Sequence, residues 1–165
     1  MTPGTLVLLH APLARAASWG ALPDTLRAAG LTTITPDVPD ATGMAYVARA
    51  SLEIASAAPA APLALIAQGD AGPLLPALAL AQRAAHRQIG AYVFLDATLP
   101  RPPRAHDHAG EEPAVPVPPD WPEAPCGYLT TGTAPTQAVR EARLRAWPVQ
   151  EGPPTEALPA LLAAL

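Results

Sequence analysis

The chain has 165 residues, half of them hydrophobic, enough apolar material for one core and hence a single domain over residues 1–165. A formal net charge of −4, with all ten cations arginines scattered along the chain, leaves no basic footprint for nucleic acid. No apolar run approaches the roughly eighteen residues of a membrane span. The first residues enter an apolar strand without a basic leader, so a cytoplasmic protein with no membrane partner is expected.

Residues 5–10 (TLVLLH) form a continuous apolar run, the pattern of a strand buried on both faces. A helix is predicted over 19–29, with Ser18 as candidate N-cap and Gly30 as its stop. A second strand covers 31–35 and a second helix 44–57, ended by Pro59 and Pro62. Residues 63–68 read as the third strand and 73–87 as the third helix. The fourth strand is 91–96 (AYVFLD). The fifth, 127–131, precedes a helix over 136–146, then a short strand at 148–150 and a terminal helix over 156–165. Alternating strands and helices predict a doubly wound α/β domain with a mostly parallel sheet of about six strands. Ligands of such sheets bind at the carboxyl ends of the strands, marked here by His10, Gln68-Gly69-Asp70, Asp96 and Thr131-Gly132.

Residues 99–125 break the rhythm. Proline removes backbone donors and fixes φ, so neither a regular helix nor a central strand is expected there. The segment reads either as a flexible linker or as an ordered cap over the strand ends. Trp121 favours the cap, because a large ring is wasted in solvent. Lys and Asn are absent while Ala, Pro and Arg abound, a codon bias suggesting a high-GC bacterial genome. The single cysteine, Cys126, excludes an internal disulfide framework and reads as a small buried hydrophobe.

The stretch 63–72, LALIAQGDAG, has the shape of a nucleophile elbow: a buried strand, then small residues allowing a sharp turn into a helix. Together with the opening LVLLHAPLARAASWGALPDTLRAAGLTTITPDVPD, with AYVFLDATLPRP and with REARLRAWPV, it resembles the α/β-hydrolase superfamily, specifically small actinobacterial hydrolase-like proteins. The resemblance covers most of the chain and implies the hydrolase fold without specifying a substrate. The elbow of such proteins usually reads GHSGAG followed by P-L-L. Carried over, Ala67, Gln68, Gly69, Asp70, Ala71 and Gly72 fall on those six positions, so the nucleophile serine is replaced by Gly69. The loop expected to hold the catalytic histidine is residues 150–155, QEGPPT, which has none. A Ser-His-Asp relay needs both groups, so inertness toward esters is expected.

The remaining candidates are weighed residue by residue. Asp70 reads either as a carboxylate at a helix N-terminus or as an acid/base group in a repurposed pocket. A register slid by one would make it a dehalogenase-like nucleophile, but that places Gln68 in a crowded turn and still lacks a histidine base. Asp96 resembles the old triad acid. His10 is either a loop brace or a proton carrier. Asp70, Asp96 and His10 are therefore the candidate catalytic residues, and Leu13, Gln68, Gly69 and Trp121 the candidate substrate contacts. Pro12 lacks an N–H, so an oxyanion hole would need donors from Leu13 and Asp70. His106-Asp107-His108, with Glu111 and Glu112, lacks a third ligand at motif spacing and reads as a solvated loop; no metal and no cofactor are expected. The apolar faces at Leu74, Leu75, Leu78 and at Leu158, Leu161, Leu162 read as core or as a subunit interface, which leaves a homodimer open. Three function classes follow: a repurposed non-hydrolytic enzyme of secondary metabolism performing cyclisation, elimination or isomerisation; a pseudo-hydrolase that binds a small molecule in the cleft; and a structural partner of another protein.

Overall fold

The structure, a computed structural model, describes residues 4–101 and 115–165. Six strands, β1 (Thr5–Leu9), β2 (Thr33–Ile34), β3 (Leu63–Gln68), β4 (Ile89–Leu95), β5 (Cys126–Thr130) and β6 (Val149–Glu151), are joined by α1 (Leu22–Ala28), α2 (Gly43–Ala57), α3 (Leu75–Ala84), α4 (Thr136–Leu144) and α5 (Pro154–Ala164). The strands make one sheet in the order β2-β1-β3-β4-β5-β6, and each neighbouring pair is parallel. The metal-like cluster His106, Asp107 and His108 lies outside the described residues.

Period-two alternation divides the strands between two cores. Leu6, Leu8, Ile66 and Val93 pack with Leu22 and Leu26 of α1 and with Leu158 and Leu161 of α5. Val7, Leu65, Tyr92, Phe94 and Tyr128 pack on the opposite face with Val47 and Ile54 of α2, Leu75 and Leu78 of α3, and Ala142 of α4. Burial on both faces is why these strands read as unbroken apolar runs. The leucines left open between core and interface are all in these cores.

Boundaries differ from expectation where local chemistry interrupts regular structure. The predicted helix over 19–29 begins as a 3₁₀ turn over Ala16–Trp19, breaks at Gly20 (φ 55°), and resumes as α1. The helix predicted from 73 is preceded by a 3₁₀ segment over Gly69–Leu74, because Pro73 and Pro76 cannot donate to the carbonyls behind them. The second strand contracts to two residues at the sheet edge.

No helix is described between β4 and β5. Residues 115–125 instead run over the face that carries α3 and α4, and Trp121 packs there. Its ring lies 5.8 Å from Tyr92 and 6.4 Å from both Phe94 and Trp147. Arg83 of α3 ties the segment down through Asp120 at 2.8 Å and Glu123 at 3.7 Å. The Tyr92 hydroxyl donates to Glu123 at 2.6 Å.

The three tyrosines of the chain are all buried. Burial pushes the Tyr128 phenol up to about 12, with Asp96 adding to the rise. It raises Tyr46 and Tyr92 further, Tyr92 also through its bond to Glu123. Burial likewise pushes the Cys126 thiol up to about 12. Groups raised in the folded state contribute stability that is complete below their ordinary values, 9.0 for the thiol and 10.0 for the phenols, and lost as pH climbs through the folded ones. Stability is therefore expected to hold up to about pH 9 and then fall. Tyrosinate absorbance should appear in one cooperative step together with loss of circular dichroism. A separate phenol titration at the ordinary value, with the fold intact, would contradict this packing.

Candidate functional site

The site is built on the turn that leaves β3. Gly69 has φ 56°, the single left-handed residue of the turn over 67–72. That is the strained position which, in an elbow, thrusts the central side chain outward. The register with Gly69 at the centre is thus the one the backbone adopts, and Asp70 sits one residue beyond it. A Cβ added to Gly69 would meet only the Ala11 methyl, at 3.5 Å, so a side chain has room there and its absence is not imposed by crowding. Gly72 is the opposite case. A Cβ there would lie 2.0 Å from the Thr98 carbonyl oxygen.

Thr98, which follows β4, grips the turn at three points. Besides the Gly72 contact, its amide donates to the Gly69 carbonyl at 3.2 Å and its hydroxyl to Asp70 Oδ1 at 2.9 Å. Asp70 is exposed and lines a cavity of about 320 Å³ with Pro12, Leu13, Thr42, Gly43, Leu74 and Val115. Among these described lining residues Asp70 is the one ionisable group. Leu13, on the loop after β1, has φ 65° and is 70% exposed at the rim.

The other candidates are engaged elsewhere. His10 is fully buried; its Nδ1 donates to the Ala11 carbonyl at 2.8 Å and its Nε2 accepts from the Val38 amide at 3.0 Å. Those bonds fix a neutral tautomer and tie the loop after β1 to the segment before α2. The Tyr46 hydroxyl, donating to the His10 carbonyl at 2.6 Å, completes the brace. Asp96 (φ 44°) accepts at Oδ1 from the Thr131 amide at 2.9 Å, and at Oδ2 from the Thr131 and Thr133 hydroxyls. It holds the loop after β5. Gln68 ends β3, half-buried, and is not among the lining residues. Trp121 lines a separate cavity of about 490 Å³ with Pro100, Val117, Pro122, Arg145 and Trp147. The structure therefore brings Leu13, Gly69 and Asp70 to one place and sends His10, Asp96 and Trp121 to three others. The residue that sequence reasoning missed is Thr98; it lies 28 positions from Asp70 and no motif announces it.

At the expected histidine loop, Glu151 is exposed and the Gly152 amide donates to the Thr130 carbonyl at 3.0 Å. No three His, Cys, Asp or Glu residues among those described are grouped to hold a metal ion, and no helix among them is long and apolar enough to cross a membrane.

No family model and no curated protein matches the sequence. Solved structures do match the fold. An extracellular α/β-hydrolase from a Paenibacillus species, described as sharing structural and functional homology with tobacco salicylic acid binding protein 2, aligns over 98% of this chain and 97% of its own, at 16% identity and a TM-score of 0.67. A pyrethroid hydrolase from Sphingobium faniae aligns over 97% and 94%, at 18% identity and a TM-score of 0.54. The chain has the α/β-hydrolase fold.

The two glycines make opposite predictions. Gly72→Ala must displace a backbone carbonyl and is expected to cost about 3 kcal/mol or more. Gly69→Ala meets only strain at positive φ, about 1–2 kcal/mol. Thermal or urea unfolding of both variants checks the order; equal costs would mean the turn does not approach Thr98 as described. His10→Ala, which strands the Val38 amide and leaves a cavity beside Tyr46, should cost about 2–4 kcal/mol in the same assay.

Proposed function

We propose that this chain is an α/β-hydrolase-fold protein that no longer carries out covalent acyl transfer. On this reading it is a repurposed enzyme, of the kind used in bacterial secondary metabolism, that guides a cyclisation, elimination or isomerisation by positioning its substrate and moving one proton. The observation that carries it is Gly69: the backbone keeps the strained elbow conformation, and the position where an attacking hydroxyl would stand has no side chain. A nucleophile cannot be supplied there, so bond making falls to the substrate's own groups, held in a near-attack arrangement by the cavity.

Asp70 is the residue placed to handle the proton. Its carboxylate accepts a proton from a substrate C–H or O–H and returns one where charge develops, and Thr98 fixes its orientation from behind. Asp96 and His10 serve this site as braces of the loops around it. A second reading, a pseudo-hydrolase that binds a small molecule without turning it over, is favoured by the exposure of Asp70 and by the same Thr98 bond, which suits a polar anchor equally well.

Both readings require the purified protein to show no burst with p-nitrophenyl esters and no adduct with a fluorophosphonate probe. A probe adduct on this chain, located by mass spectrometry, would refute them together. Asp70→Asn separates the two. An enzyme should lose turnover of its substrate by about 100-fold or more at unchanged melting temperature. A binder shows no turnover in either form, and Asp70→Asn changes only the size of its ligand-induced thermal shift.

A further inference from the structure

Resting on the reading of the elbow cavity as a small-molecule site, we propose that this cavity selects a small amphiphile whose polar end is a protonated amine, and disfavours the corresponding carboxylate. The charge of the site points this way. Its described lining is Pro12, Leu13, Thr42, Gly43, Asp70, Leu74 and Val115, and among these residues a single anionic group faces uncharged ones. Pro12 has no N–H to offer an anion. Among the described residues, the adjoining cavity of about 280 Å³, which shares Val115, is lined by one cation, Arg101, and it is paired with Glu141 at 3.9 Å. An ammonium group beside Asp70 makes a charge-assisted hydrogen bond, whereas a carboxylate meets like charge.

The rim describes the rest of the ligand. Leu13 is held in the left-handed region, unfavourable for a branched side chain, and is nevertheless 70% exposed. Its strain is not offset by burial within the chain. An exposed Leu13 together with Leu74 and Val115 in the lining of a cavity of about 320 Å³, at the small end of ligand sites, fits a short hydrocarbon body. The ligand thus sets its cation beside Asp70 and its apolar part against Leu13 and Leu74.

The test uses three probes of matched length, n-heptylamine, n-heptanol and heptanoate, titrated into the full chain by ligand-observed NMR at low salt. The amine should bind about ten-fold or more tightly than the acid, with the alcohol between them. Asp70→Asn should bring amine and acid to within about three-fold. Leu13→Gly, which relieves the backbone and removes the apolar contact, should weaken all three probes together. Added salt should shrink the amine preference of the unaltered chain, a check that needs no variant. Equal binding of amine and acid, or a preference that survives in Asp70→Asn, overturns the proposal while binding of the alcohol leaves the cavity reading intact. Failure of all three probes to bind overturns both.

Discussion

The close approach of two loops governs the carboxyl end of this sheet. The turn after β3 and the loop after β4 meet so tightly that a methyl group at Gly72 would lie 2.0 Å from the Thr98 carbonyl oxygen. Everything at the site inherits its position from that contact. It sets the distance at which the Thr98 amide reaches the Gly69 carbonyl, and it brings the Thr98 hydroxyl to the carboxylate of Asp70. Gly69 can then adopt its left-handed conformation without further support, since glycine has no Cβ to object. A turn of this shape, fixed by backbone and small residues, keeps its geometry whatever stands at its centre.

The loops on either side are held by similarly local devices. Buried polar groups must find partners, and the buried His10 finds its in neighbouring loops, as does the half-buried Asp96. His10 joins the end of β1 to the approach to α2 through Val38, and Asp96 joins the end of β4 to the loop after β5 through Thr131 and Thr133. Both stand at strand ends, where ligand chemistry is expected in this architecture. Their bonds make them structural members of the site, while Asp70 lines the cavity.

Much of the fold was legible because parallel strands are buried on both faces and so declare themselves as apolar runs. LALIAQ was read with the bounds it has, and TLVLLH and AYVFLD within two residues of theirs. The elbow was legible too, since its small residues answer a local steric demand. What stayed hidden is what depends on distant pairing. The bonds of Asp96 span 35 positions or more, and that of Asp70 spans 28. Trp121 shows the same limit in another form. Its size implied packing, and it is half-buried against the sheet, but its partners, Tyr92 and Phe94 on β4 and Trp147 before β6, are distant in sequence, and no spacing in the chain points to them. It covers the sheet where a crossover helix would otherwise lie, instead of closing the cleft.

The separation of the elbow turn from the two cores has a physical logic. The stability of the domain resides in the two cores on either side of the sheet, and none of that packing involves a side chain at position 69. Chemistry at the elbow and stability of the sheet are therefore separable. The turn is fixed by backbone and small residues, with a cavity beside it. In such a place a single charge has unusual influence. Serine-based acyl transfer asks a site to stabilise an oxyanion, and Asp70 on the turn itself works against that demand. The same carboxylate, uncompensated among the lining residues, suits a proton or a cation. The electrostatics of the turn thus agree with the function proposed from Gly69.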